Sequence, residues 1–388
     1  MRKVFALAAL LALAIAFLPL PAEGGKIVIA FDASHRQSPA GLEVLALPNM
    51  TGTMYKVLIV LDDSDLQRIP NATLRAFQEV RRGGFTAENL NDVDILIIGM
   101  PEAALRSGEV EVLKAWFSKP NKALWIAADS DYPAQGSERA QQFMNAVLEA
   151  LGSVIRIDHI SVEEPTFNIG GAPYRVMGTI DPSSEIASII MQGVQHKRVL
   201  FHGPGGLYVL VNNKPVNPVK EPAQRPKNVY VVVRTTNESR VVDNNPAEKG
   251  GLPPVFYDPL GPATVSRGPY PLMLAETFPN NRIIIASSET PYGGYQHMTI
   301  SAHRGVALDG HVLVRNLLLL LDQVVNRPQV VTEVRTEIRT TTATQLVTQM
   351  VTQVTTVTET RGLELPIAAG LAVLALLAGV AIAFVLRR

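Results

Sequence analysis

Four short apolar runs constrain this chain more than any other feature. Residues 26–31, 56–61, 94–99 and 123–127 are dominated by Val, Ile, Leu, Ala and Phe, with no apolar–polar alternation inside them. A strand wetted on one face alternates. An unalternating run suits a strand covered on both faces, as in a parallel sheet. Helical spacing appears among the later runs: Leu74, Phe77 and Val80 share one face, and Val110, Leu113, Trp116 and Phe117 another. Phe143, Val147, Leu148 and Leu151 form a third, closed by Gly152. Buried strands alternating with amphipathic helices predict an α/β fold, a mostly parallel sheet with helices on both faces.

The middle, residues 153–275, is richer in Pro and Gly and carries strand-like runs with little helix. It reads as a β-rich insertion, either hairpin excursions from the main sheet or a small subdomain. The pattern then returns: 282–289 is a further strand, and Asp309 is placed to cap a helix bearing Leu313, Leu317, Leu320 and Val324 along one face. One domain over 26–326 is expected.

Both ends are greasy. Arg2 and Lys3 precede an apolar stretch and small residues near Ala22, the layout of a secretory signal over 1–22. Residues 365–386 form a second apolar stretch, charge-free from Pro366 to Leu386, closed by Arg387 and Arg388, long enough for a transmembrane helix with its C-terminus cytoplasmic. Residues 327–362 between domain and anchor are Thr- and Val-rich, the composition of an extended, O-glycosylated stalk. A minority alternative is a short coiled coil seated on Val347, Met350, Val354 and Val357. The expected localisation is a single-pass cell-membrane protein with its domain outside. On such a chain the sequons at Asn49, Asn71 and Asn237 become candidate glycosylation sites. Formal net charge is zero, with no basic patch interleaved with aromatics, so nucleic acid is not an expected partner.

The stretch "IVIAFDASHRQ" resembles the opening of a class I glutamine-amidotransferase-like (flavodoxin-like) family, found in gliding-motility and ABC-transporter auxiliary proteins, an intraflagellar transport subunit and archaeal membrane-anchored proteins of unknown role. "LNDVDILIIGMPEAALRSGEVEVLKAWFSKPNKALWIAADSD", "SEIASIIMQGVQHKRVLF" and "RIIIASSETPYGGYQ" through "RNLLLLL" are similar to its later segments, so the resemblance covers roughly 26–326. Active class I amidotransferases carry a nucleophilic cysteine after a strand. This chain has no cysteine, and "AADSDYP" occupies the comparable place, so the resemblance implies the fold without that chemistry.

In such sheets ligands gather at the carboxyl ends of the strands. The residues expected there are Asp32, Ser34 and His35 after the first strand, Asp62 after the second, Asp129 and Ser130 after the fourth, and Glu289 after the late one. They form a candidate binding rim, with no residue assigned a catalytic role. Ser34 and His35 are adjacent, which on a strand sends their side chains to opposite faces and makes a poor dyad unless the loop bends sharply. The seven histidines lack ligand spacing, so no metal and no cofactor is expected. "FHGPGGLYV" reads as a hairpin turn and "PYGGYQH" at 291–297 as a candidate lid over the rim. The resulting expectation is a membrane-anchored extracytoplasmic binding or assembly module, auxiliary to transporter or envelope proteins, with a small-molecule or sugar ligand. The alternative is a surface-anchored hydrolase or carbohydrate-active enzyme using the strand-end carboxylates.

Overall fold

A computed structural model of the protein describes residues 27–45, 55–133, 138–257, 267–294 and 296–326, and the backbone of 329–339 and 349–359. The expected signal segment 1–22, the anchor 365–386 and Asn49 lie outside the described residues. Among the described residues no helix is long and apolar enough to cross a membrane.

In chain order the first strands are β1 (Val28–Asp32), β2 (Lys56–Leu61), β3 (Glu79–Arg82), β4 (Ile95–Ile98) and β5 (Lys122–Ala127). Then come β6 (Ile155–Ile157), β7 (Ser161–Glu163), β8 (Asn168–Ile169), β9 (Ala172–Ile180), β10 (Arg198–His202), β11 (Leu207–Val211) and β12 (Lys214–Val216). The last are β13 (Val229–Arg234), β14 (Arg240–Val242), β15 (Pro271–Phe278), β16 (Arg282–Ser287), β17 (Ala302–His303), β18 (Val306–Ala307), β19 (Gln329–Arg339) and β20 (Gln349–Glu359). The helices are α1 (Leu42–Leu45), α2 (Asn71–Arg75), α3 (Glu109–Phe117), α4 (Arg139–Ala150), α5 (Ala187–Ile190) and α6 (Gly310–Val325).

An 11-stranded sheet runs in the order β10-β9-β13-β15-β16-β5-β4-β1-β2-β3, with β8 beside β9. From β16 to β3 every pairing is parallel. From β10 to β16 every pairing is antiparallel. The insertion therefore resolves both ways: part of it widens the main sheet, and part forms the small sheets β12-β11-β6 and β14-β7. Alternate residues of each parallel strand feed two cores, as a period of two requires. Ile29, Phe31 and Ile59 pack with α6 residues Leu313 and Leu317 on one face. Val28, Ala30 and Leu58 pack with Leu113 and Trp116 of α3 and Phe143 and Val147 of α4 on the other. Burial on both faces is why these runs carry no polar alternation.

Three expectations change. The face drawn through Leu74, Phe77 and Val80 is not one helix: α2 ends at Arg75, and Val80 lies in β3. The strand was hidden because it is a charged sheet edge, "EVRR", partly exposed on both faces. "FHGPGGLYV" is not a hairpin turn, since β10 and β11 belong to different sheets and the glycines carry the chain between them. Asp309 stands at the N-cap of α6 but makes no capping bond. Its carboxylate instead accepts the backbone N–H groups of Gln195 (3.2 Å) and His196 (2.6 Å), tying the loop before β10 to the helix. Separately, β19 and β20, in a unit apart from residues 27–327, are extended and pair antiparallel, Gln329 opposite Glu359; Val347, one of the positions of the coiled-coil alternative, lies outside the described residues.

Candidate functional site

The parallel strands end on one rim, as the sequence argument required. Strand order reverses at β1: β2 and β3 continue to one side, β4, β5 and β16 to the other. The crevice between the ends of β1 and β4 is the topological switch point, where an open α/β sheet takes its ligand. Here Tyr292 of the "PYGGYQH" loop occupies it. The ring is 1% exposed. Its hydroxyl donates to the Asp32 carbonyl at 2.6 Å, with the Ile97 carbonyl at 3.1 Å, and accepts the Gly99 N–H at 2.9 Å. Burial, then the charge of Asp32, push the phenol well above its usual range, so it stays protonated and able to donate.

Local geometry makes this fit obligatory. A Cβ on Gly99 would meet the Tyr292 ring at 2.8 Å and Gln37 Oε1 at 2.9 Å. Gly293 turns the loop at φ +75°, and a Cβ there would meet the Ser38 carbonyl oxygen at 2.5 Å. Its N–H bonds Ala40 O at 2.7 Å. The loop proposed from sequence as a lid is thus packed into the rim as a plug.

Beside the plug, Asp32, Ser34 and His35 are all buried. They are not laid out as consecutive strand residues. β1 stops at Asp32, and His35 and Arg36 both adopt left-handed backbone, φ 57° and 60°. That sharp bend brings Ser34 Oγ to 2.6 Å from His35 Nδ1, overturning the opposite-faces expectation. Ser34 Oγ donates to Asp32 Oδ1 at 2.5 Å, and Gln37 Nε2 donates to Asp32 Oδ2. His35 Nε2 bonds Glu109 Oε2 at 2.8 Å. The imidazole is wedged between Phe85 and Phe143, with ring centroids 5.1 and 5.0 Å away. Burial opposes its protonation, but hydrogen bonds and charge from Asp32 and Glu109 prevail and raise its pKa to about 9. Glu109 moves the other way: burial would raise it, yet the His35 bond and charge, the Arg106 N–H and the Arg106 guanidinium bring it to about 2. Arg106 pairs with Glu109 at 2.9 Å and also with Asp62, drawing that half-buried carboxylate into the same network.

The chemical consequence is direct. An imidazolium has no lone pair with which to deprotonate Ser34. Its Nδ1–H points into the serine oxygen, whose own proton goes to Asp32. A serine nucleophile needs the reverse polarity.

Asp129, Ser130 and Glu289 form a second group at the ends of β5 and β16, also buried. Asp129 accepts the Ser130 N–H at 2.7 Å; Glu289 accepts the N–H groups of His202 (2.6 Å) and Thr290 (2.9 Å). Burial pushes both carboxyls well above the carboxylate range, and the charge of Asp129 adds to the rise of Glu289. Buried Asp131, Glu138 and Asp158 hold the 244–256 segment against this part of the rim. Asp131 accepts Asn244 N at 2.6 Å, Glu138 accepts Leu252 N at 2.8 Å, and Asp158 accepts Val255 N at 2.7 Å and Phe256 N at 2.9 Å. Among the described residues no group of His, Asp and Glu is arranged to hold a metal ion. A surface depression of about 430 Å³ lies at the opposite end of the strands, lined by Lys114, Phe117, Leu151 and Arg282 among others.

Sequence reasoning missed Glu109, Arg106 and Gln37, and it named the 291–297 loop as a lid without singling out Tyr292. Glu109 and Arg106 carried a faint signal, a charged pair i,i+3 at the start of a helix. The seat of Tyr292 against the end of β1 depends on folding across 260 residues, which the loop alone does not encode. The sequons at Asn71, the first residue of α2, and Asn237, in the turn after β13, are exposed.

No protein-family model and no curated protein matches the sequence. Solved structures similar to it include the N-terminal domain of IFT52, at 12% identity and TM-score 0.44, covering 77% of this chain and 96% of that one. A ThuA-like protein from Bacteroides uniformis matches at 10% identity and TM-score 0.33, over 80% of this chain and 95% of that one. A ribokinase-like protein from Enterococcus faecalis matches at 11% identity and TM-score 0.22, over 48% and 63%.

Proposed function

We propose that this chain is a non-catalytic binding or assembly module, held outside the cell membrane by its C-terminal segment and auxiliary to a transporter or envelope complex. The observation that carries the non-catalytic part is the filling of the switch point by Tyr292, 1% exposed and bonded to the ends of both flanking strands. A substrate would have to displace it. The second support is polarity. The Ser34–His35 contact is built around an imidazolium, and the Asp32 and Glu109 carboxylates beside it are engaged by internal donors. What remains for partners is the outer surface. The tether and the outward orientation rest on the apolar ends of the sequence, and the transporter or envelope role on the family resemblance.

The test is a screen of purified protein against sugars, peptides and nucleotides, followed for both binding and turnover. Saturable binding without turnover is the expected outcome. Turnover abolished by Asp32→Asn or Asp129→Asn would replace this reading with that of a surface hydrolase. Protease added to intact cells should remove residues 27–326; protection of that portion would overturn the outward orientation.

A further inference from the structure

At one corner of the sheet, basic side chains converge from three separate pieces of chain. β10 ends at His202, which lies opposite Arg175 in β9. Tyr174 stands beside them, 42% exposed, its ring 5.4 Å from that of His202 and 4.9 Å beneath the Arg175 guanidinium. The β8–β9 hairpin turns at Gly170 and Gly171, and the β17–β18 hairpin turns at Arg304 and Gly305. The two hairpin tips touch: a Cβ on Gly170 would lie 3.4 Å from Arg304 Cδ and 3.9 Å from Nη1 of both Arg175 and Arg304. Glycine here, at φ +68°, both makes the turn and leaves room for two guanidinium groups over the same backbone.

These arginines differ from their neighbours in the insertion. Arg225, Arg234 and Arg240 pair with Glu185, Asp181 and Glu163. Arg175 and Arg304 have no ion pair with a carboxylate among the described residues, and His303 Nε2 is a buried atom without a hydrogen-bond partner there. The field is felt locally. His202 and His303 are lowered by burial first and then by the charge of Arg175, with Arg304 adding to the effect on His303. The facing acid is Glu289, which accepts the His202 N–H and whose carboxyl burial drives toward the neutral form.

We propose that Arg175, Arg304 and His303, flanked by Tyr174 and His202, bind a phosphoryl group. A planar carboxylate is satisfied by one guanidinium fork. Two forks from different chain segments, with an imidazole beside one of them, suit a tetrahedral, doubly charged oxyanion. The group could arrive as free phosphate or as a phospholipid headgroup. The inference stands whether or not the strand-end rim is catalytic, since it uses none of the Tyr292 or His35 contacts.

Isothermal titration of the full-length protein with inorganic phosphate, and separately with dihexanoyl phosphatidic acid, tests it, with chloride at equal ionic strength as the blank. Saturable binding is expected, weakened about tenfold or more by Arg175→Gln and by Arg304→Gln, as loss of a charged hydrogen-bond donor requires. Neither substitution breaks an ion pair, so each should shift the thermal midpoint by a few degrees at most, Arg175→Gln losing only its contact with the exposed Tyr174 ring. Arg82→Gln, a surface arginine paired with Asp63, should leave binding intact. Equal response to both probes identifies a free phosphoryl ligand; response to the lipid alone, still dependent on both arginines, identifies a headgroup. Absence of saturable binding to either probe, or binding that survives both substitutions or falls equally in Arg82→Gln, overturns the proposal.

Discussion

Raising the pH should dismantle the His35 network, and the size of the effect follows from the structure. His35 is held at about 9 in the folded protein, against 6.5 for an ordinary imidazole. The folded state therefore binds this proton more tightly than the unfolded chain. The resulting stabilisation is fully present below 6.5, declines as pH rises through that window and is gone above 9. At ~1.4 kcal/mol for each pH unit between the two values, the loss is about 3 kcal/mol. Glu109 is the partner half of the same ion pair. Its stabilisation is present above 4.5 and lost as pH falls toward 2, and it is not added to the figure for His35. Urea unfolding of the wild type and of His35→Gln at about pH 6 and about pH 10 separates this group from every other that titrates in the range. The difference between the two proteins should shrink by about 3 kcal/mol at the higher pH. A difference unchanged by pH, or an imidazole NMR titration of wild-type His35 centred near 6.5, would refute the reasoning.

Tyr292→Phe should keep the ring in the crevice but strip the partner from the Gly99 N–H and from the Asp32 carbonyl, costing about 1–3 kcal/mol in urea unfolding. Asp131→Asn replaces a buried acceptor of the Asn244 and Asn245 N–H groups with a side chain half donor, so limited proteolysis should cut the 243–257 segment faster than in wild type. If the domain faces outward as proposed, Asn71→Gln and Asn237→Gln should each remove one glycan from protein isolated from its native source, read as a step in gel mobility, since both asparagines are exposed.

The buried parallel strands were legible because burial on both faces writes itself into composition. β1, β2, β4, β5 and β16 all fall on runs that read as strands. β3 did not, since an edge strand with Glu79, Arg81 and Arg82 looks like any polar helix or loop. The strand-end residues were legible as positions but not as chemistry. Periodicity could place Ser34 and His35 after a strand; it could not show two successive left-handed residues folding them together. Nor could it show Glu109 reaching His35 across 74 residues, a contact that joins Asp32 in raising the imidazole. Asp309 illustrates the same limit. The residue type and its position before a helix were right for a cap, yet a competing pair of backbone N–H groups from the loop before β10 claims the carboxylate.

Amide hydrogen exchange at Gly99 tests the plugged crevice most directly, since that N–H has the Tyr292 hydroxyl as its acceptor at 2.9 Å. With Tyr292 seated between β1 and β4, Gly99 should exchange as slowly as the core amides of the neighbouring strands. Exchange at the rate of an exposed loop amide would mean that the crevice stands open in solution, and the non-catalytic reading would fall with it.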